Sequence, residues 1–185
     1  MITLTYFFWI LVIIFAVIGA MRGWAQELLV AFSVILGLFI IRVLEFIPFV
    51  NGILETGYLD ANTGIVVPIT TTTFWVRTSI ILLFAFFGYQ SPRIQRIARG
   101  GARKERFQDT VLGILVGGLN GYLIIGTIWF FLIQASYFPE FITPPLPTDQ
   151  AAQTIINILP PILANGNSIF FAIAIAFAFV VIVFV

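Results

Sequence analysis

The charged residues of this chain are few enough to take one at a time, and three groups of them have spacings that chemistry can use. In GAMRGWAQELLV, residues 19–30, Arg22-Gly23 is followed four residues later by Glu27. An arginine and a carboxylate around a glycine make either a wet turn at a bilayer surface or a charged site held inside the membrane for a mechanism. Glycine supplies a permissive turn, Arg22 can snorkel into headgroups, and Glu27 falls where a helix dipole favours a carboxylate, so the first reading is the solvated hairpin. Arg42 and Glu45 lie three apart on one helical face, and Arg77 sits near the start of the next apolar segment. Charges at that depth cost a few kcal/mol apiece when alone, which points to an Arg-Glu-Arg clamp between two helices rather than a substrate or proton site. The third group is Arg93, Arg96, Arg99, Arg103, Lys104 and Arg106, which can hold anionic lipid heads at about 1 kcal/mol each and can also fix topology.

Other chemistry is missing. With no His and no Cys there is no imidazole ligand, thiolate nucleophile or disulfide. Intramembrane proteolysis would need a serine with a base, paired aspartates or a metal motif, and none is present. The sequence therefore predicts a protein that is not an enzyme, with no catalytic residue, no metal and no cofactor. The basic run lacks a folded recognition element and interleaved aromatics, so nucleic acid is not a predicted partner.

The elements that position these residues are apolar. Of the 185 residues, 61% are hydrophobic and 9% charged, with 21 Phe, more greasy surface than a soluble domain could hide. Five segments stand out, Ile2–Met21, Leu28–Val50, Thr73–Tyr89, Val111–Ile133 and Ile169–Val185. At about 1.5 Å per residue they reach roughly 26–35 Å, enough for a hydrocarbon core of about 30 Å. The predicted fold class is an all-α membrane protein, a bundle of about five transmembrane helices. No basic residue precedes the first run and Arg22 follows it, the layout of a retained anchor rather than a secretory signal.

Orientation follows from the basic residues, which resist translocation in short loops. Arg22 and the 90–110 connection carry them, whereas the 51–72 and 138–167 connections hold only Glu55, Asp60, Glu140 and Asp149. The N-terminus is thus expected outside and the C-terminus in the cytoplasm. Two connections read as short interfacial helices. In 92–108, Ile94, Ile97 and Ala98 share a side until Gly100-Gly101 breaks it. In 148–159, Thr148 is the expected cap, Asp149 the first turn, and Ala152, Ile155, Ile156 and Leu159 the apolar side. The fifth helix ends without a flanking charge and reads as a lipid-facing anchor.

In the fourth segment Gly113, Gly117 and Gly121 recur every four residues, a face on which another helix backbone can approach closely, with Asn120 and Thr127 beside it. The seam can pack against a helix of the same chain, join copies of the chain, or line a small pore. No spanning helix shows a polar stripe from face to face, which weighs against a conduit.

The Arg22-Gly23-x-x-x-Glu27 spacing after an N-terminal span resembles the opening of the colicin V production protein family, the CvpA-like bacterial inner-membrane proteins. DTVLGILVGGLNG, residues 109–121, is similar to that family's approach to its fourth helix, with Asp109, Leu112 and Gly113 as motif positions and Asn120 where the family often carries Arg. The resemblance covers about residues 1–137 and implies a four-helix core there. The 138–167 stretch, an extracytoplasmic Pro-rich loop with its short helix, and the fifth helix at 168–185 lie outside it. It further implies a multi-pass protein of the bacterial inner membrane with an accessory or structural role in envelope function and colicin V production or export, acting through helix association. Lipids and other membrane subunits, in a homo-oligomer or larger complex, are the expected partners. The competing expectations are a scaffold subunit of a respiratory or photosynthetic complex, with quinones or lipids in its grooves, and an oligomeric channel lined by the glycine-rich helix.

Overall fold

The computed structural model describes residues 4–45, 47, 50, 54, 58–59, 66–90, 103–138, 142–163 and 170–175. Four helices there are long and apolar enough to cross a membrane: α1 (Leu4–Arg22), α2 (Trp24–Glu45), α3 (Thr71–Tyr89) and α4 (Arg103–Gln134). Between α2 and α3 two short antiparallel strands, β1 (Tyr58–Leu59) and β2 (Val66–Val67), pair Tyr58 with Val67 and Leu59 with Val66. Two short helices follow α4, namely α5 (Gln150–Asn157) and α6 (Pro160–Leu163). Of the expected fifth span, residues 170–175 are helical and the rest of 169–185 lies outside the described residues.

Local chemistry explains the boundaries. Gly23 alone turns α1 into α2, with φ +88°, a left-handed value that side-chain-bearing residues rarely adopt. Because the turn needs only this residue, α2 begins at Trp24, and Glu27 falls in its first turn, where the dipole argument expects it. The Thr70 hydroxyl caps α3 by accepting from the Thr73 N–H at 3.2 Å. Residues 103–108 of the 92–108 connection are the opening turns of α4, since nothing between them and Gly113 breaks the helix, while the interfacial helix expected before Gly100-Gly101 lies outside the described residues. Residues 91–102, with Arg93, Arg96 and Arg99, lie outside the described residues. At 32 residues α4 is about 48 Å long, well beyond a hydrocarbon core of about 30 Å. Ser136 and Tyr137, both at φ 53°, end it, and the Tyr137 N–H closes the turn on the Leu132 carbonyl at 2.9 Å.

Two packing arrangements hold the bundle. α1 runs antiparallel along α4, with Gly19 against Gly113 and Gly117, Phe15 and Val12 against Gly121, and Phe8 against Trp129. A methyl placed on Gly117 would lie 2.8 Å from the Gly19 Cα and 2.5 Å from the Phe15 carbonyl oxygen, so the two backbones touch. On the other side of α4, Val30, Val34, Leu38 and Ile41 of α2 share one buried cluster with Phe74 and Ile81 of α3 and Leu123, Ile124 and Phe131 of α4. The Asp149 carboxylate, not Thr148, caps α5, accepting from the Ala152 N–H at 3.1 Å. Ala152, Ile155 and Leu159 are buried, and the last two close over Phe8 and Trp129.

The α1–α4 contact generates a test. Gly117→Leu forces two backbones apart, and overpacking of this kind costs about 1–3 kcal/mol. Gly118, where the nearest atom to an added methyl is the Ala16 Cβ at 3.7 Å, is the matched control. Thermal unfolding in detergent, followed by tryptophan fluorescence, should show a lowered midpoint for Gly117→Leu and little change for Gly118→Ala.

Candidate functional site

The Glu27 side chain is the convergence point of the bundle, and it is 0% exposed. The solvated turn expected from the sequence is therefore wrong for this residue. Starting α2 at Trp24 swings Glu27 inward, where three helices supply donors to its carboxylate. Arg22 of α1 donates from Nη1 to Oε1 at 2.9 Å. Asn120 of α4 donates from Nδ2 to Oε2 at 2.7 Å and to the Glu27 backbone carbonyl at 2.8 Å. Tyr89 of α3 offers its hydroxyl to Oε2 at 3.4 Å. Arg22 also donates from Nη2 to the Tyr89 carbonyl at 3.0 Å, and its guanidinium stacks 4.5 Å from the Tyr89 ring centroid. One cation thus pairs the acid, satisfies a carbonyl at the end of α3 and lies over an aromatic face.

The same end of the molecule draws in Gly23 and Asp109. The Asp109 carboxylate accepts from the Trp24 N–H at 3.3 Å, serving the exposed first donor of α2 from a different helix. A methyl on Gly23 would meet that carboxylate at 2.8 Å. So Arg22, Gly23, Glu27 and Asp109 come together, with Gly113 packed one turn below against Gly19. Leu112 is exposed.

A second ionic cluster occupies the opposite end. Glu45 accepts from Arg42 Nη1 at 3.1 Å and from Arg77 Nη2 at 3.0 Å. Arg77, 2% exposed, also donates from Nη1 to the Gln134 amide oxygen at 3.1 Å and from Nη2 to the Leu54 carbonyl at 2.8 Å. The three charges join α2 to α3, and Gln134 and Leu54 extend the network to α4 and to the connection after α2. Residue spacing flagged the charges; Gln134, Leu54 and Tyr89 were missed, because a terminal amide, a carbonyl and a tyrosine at a helix end carry no charge pattern.

On α4, Gly113, Gly117 and Gly121 face α1. Asn120 and Thr127, both 0% exposed, lie beside that seam. With Gln134 they recur every seven residues, so all three stay near one face of the helix, drifting about 20° per step. Between them Leu123, Ile124 and Phe131 belong to the apolar core, so the three are separate polar points and not a continuous stripe. Arg103, Lys104 and Arg106 lie in the opening turns of the same helix. Among the described residues no group of three acidic, histidine or cysteine side chains is placed to hold a metal.

No protein-family model, curated protein or solved structure matches the chain.

Removing one partner of a buried ion pair leaves an uncompensated charge and costs about 3–5 kcal/mol, more than removing both. Arg22→Gln should therefore lower the thermal midpoint in detergent more than the double variant Arg22→Gln/Glu27→Gln. A fully additive double variant would show that the pair does not act as a unit.

Proposed function

We propose that this chain is a non-enzymatic, CvpA-like integral membrane protein of the bacterial cytoplasmic membrane, with its N-terminus outside, that supports envelope function or toxin export by associating with other membrane components. The observation that carries this reading is the meeting of the two separated pieces of the colicin V production resemblance. Gly23 and Trp24 lie on Asp109, and Gly19 lies on Gly113. Residues chosen by likeness alone, from two ends of the core, form one structural junction, and that supports reading them as one motif.

The reading of how it acts comes from the surfaces. In a bilayer, helices associate by close packing and by interhelical hydrogen bonds, not by escape from water. The glycine face of α4 is filled by α1, which leaves that face no room to line an oligomeric pore. The opposite side of α1 presents Ile10, Ile13, Ile14 and Val17 at helical spacing, a ridge open to lipid or to a partner helix. On α3, Trp75, Val76, Ser79, Ile80 and Leu83 line an open groove of about 420 Å³. That groove favours a second reading, a scaffold subunit of a larger respiratory or photosynthetic complex, in which a lipid or quinone tail would lie there.

Extraction of the tagged protein in lipid particles, followed by native mass spectrometry, tests the proposal. The expected result is a particle containing additional membrane polypeptides and anionic lipid. A lone chain, indifferent to lipid composition, would count against association as its mode of action. Reporter tags near residues 60 and 100 should light up in opposite compartments.

A further inference from the structure

Along α4, Leu112, Leu115, Leu119, Tyr122, Gly126 and Trp129 follow one another at steps of three and four residues, so they share one face of the helix. The half of that face nearer Arg22 is open, with Leu112, Leu115 and Leu119 exposed. The other half is covered by the chain itself. Ile155 and Leu159 cluster with Trp129, and Tyr122 donates its hydroxyl to the Ile158 carbonyl. Pro160 lies against Gly126, where an added methyl would meet the proline Cδ at 2.8 Å. The level of this contact follows from the helix rise. Asp109 is charged and exposed, so a hydrocarbon core begins no earlier on α4 than that residue. Gly126 lies about 26 Å further along the axis and Tyr122 about 20 Å, both inside a core of about 30 Å, and tilting the helix only shortens those rises. Gln134 and the Arg77 cluster, about 38 Å along, lie beyond it.

A second observation concerns the backbone. Chain that enters hydrocarbon must have its N–H groups met from within, because no water is there to meet them. From residue 158 to residue 163 every donor is accounted for. The Ile158 N–H reaches the Ile155 carbonyl at 3.1 Å and the Leu159 N–H the Ile156 carbonyl at 3.3 Å. The Ile162 and Leu163 N–H groups both reach the Leu159 carbonyl, at 2.9 and 3.3 Å, and Pro160 and Pro161 have no N–H to satisfy. The side chains divide at the same point. α5 exposes Gln150, Thr154 and Asn157, whereas ILPPIL, residues 158–163, contains no polar side chain, and its Ile158, Ile162 and Leu163 are exposed.

We propose that residues 158–163 are a re-entrant element, inserted into the leaflet opposite Arg22, whose outward side of Ile158, Ile162 and Leu163 is a contact surface for lipid acyl chains. α5 lies at the rim of the bilayer with its Gln150, Thr154 and Asn157 side toward water. The chain beyond it takes, on α4, the place that lipid holds lower on the same face. A helix pair resting on the headgroups would leave Ile162 and Leu163 in water, at the cost of their apolar area. Inserted beside Gly126 and Tyr122, they lie among acyl chains, and the Ile158 carbonyl keeps a partner in the Tyr122 hydroxyl. The partner of this surface is the lipid of one leaflet. The proposal holds whichever side of the membrane α1 begins on, and it does not rest on the association reading.

The chain has no cysteine, so a nitroxide can be attached at one introduced cysteine at a time. Leu163→Cys and Ile162→Cys, with Thr154→Cys as the water-side reference, are each made in the full-length protein, labelled, and reconstituted in neutral liposomes at a large excess of lipid. Power-saturation EPR then reads collision of the nitroxide with oxygen, which concentrates in hydrocarbon, and with a water-soluble nickel chelate. At residues 162 and 163 relaxation by oxygen should exceed relaxation by the chelate, and at Thr154 the order should reverse. Circular dichroism and elution volume identify a variant that fails to fold, and either of the two inserted sites suffices for the reading. Relaxation dominated by the chelate at residues 162 and 163 would put the segment in water and overturn the proposal. Relaxation by neither reagent would show a protein surface over it, a second copy or another subunit, and would overturn it equally. The association reading is judged by native mass, so either can fail without the other.

Discussion

Burial of one carboxylate organises the molecule. Glu27 is withdrawn from solvent and from lipid, and a charge so placed is tolerable only when its lone pairs are met. Arg22, Asn120 and Tyr89 meet them from three different helices, and Glu27 itself belongs to the fourth. Each donor is therefore also a distance constraint. α1 must end where Arg22 can reach across the Gly23 turn, α3 must end where its Tyr89 carbonyl faces the same guanidinium, and α4 must carry its amide at the level of the first turn of α2. A hydrophobic contact slides at small cost, while a charge-assisted hydrogen bond in a medium of low polarity does not. The carboxylate thereby gives a bundle of otherwise interchangeable apolar helices a single register.

The glycine seam supplies what the ion pair cannot. Lipid tails are as apolar as leucine, so α1 gains nothing from hiding its side chains against α4 unless the packing is closer than lipid can offer. Gly19, Gly113 and Gly117 provide that closeness by bringing backbone against backbone. The close approach then sets the position of Gly23 over Asp109, and so of the first turn of α2. The seam and the ion pair are mechanically one device: the seam fixes how near α1 and α4 lie, and the pair fixes where along their length they stop.

Much of the helical content was legible in the sequence, because a long apolar run bounded by charge or turn residues has few alternatives in lipid. The four spans of the core were placed within a few residues. What failed was depth. Glu27 looked solvated because its neighbours Arg22 and Gly23 belong to a turn, and a hairpin turned by one residue looks in sequence like a longer one. Glu27 was correctly placed in the first turn of α2; what spacing could not show is that Arg22, Asn120 and Tyr89 converge on that turn and bury it. The strands at 58–59 and 66–67 were missed because pairs so short leave no alternation to detect. The continuation of α4 back to Arg103 was missed because charge was taken as the end of a span, although charge ends only burial and not the helix.

The polar points on α4 show why single-residue inspection understates a membrane helix. Asn120, Thr127 and Gln134 are each ordinary alone: an amide beside a glycine seam, a threonine bonded back to its own helix, and a glutamine in the last turn. Their significance comes from a spacing of seven, which keeps them near one face, and from the charged cluster waiting at each end. A wholly apolar face would cost less, since every buried polar atom must be satisfied or cost stability. Asn120 and Gln134 instead tie α4 to α2 and α3 through Glu27 and Arg77, a register that apolar side chains could not fix.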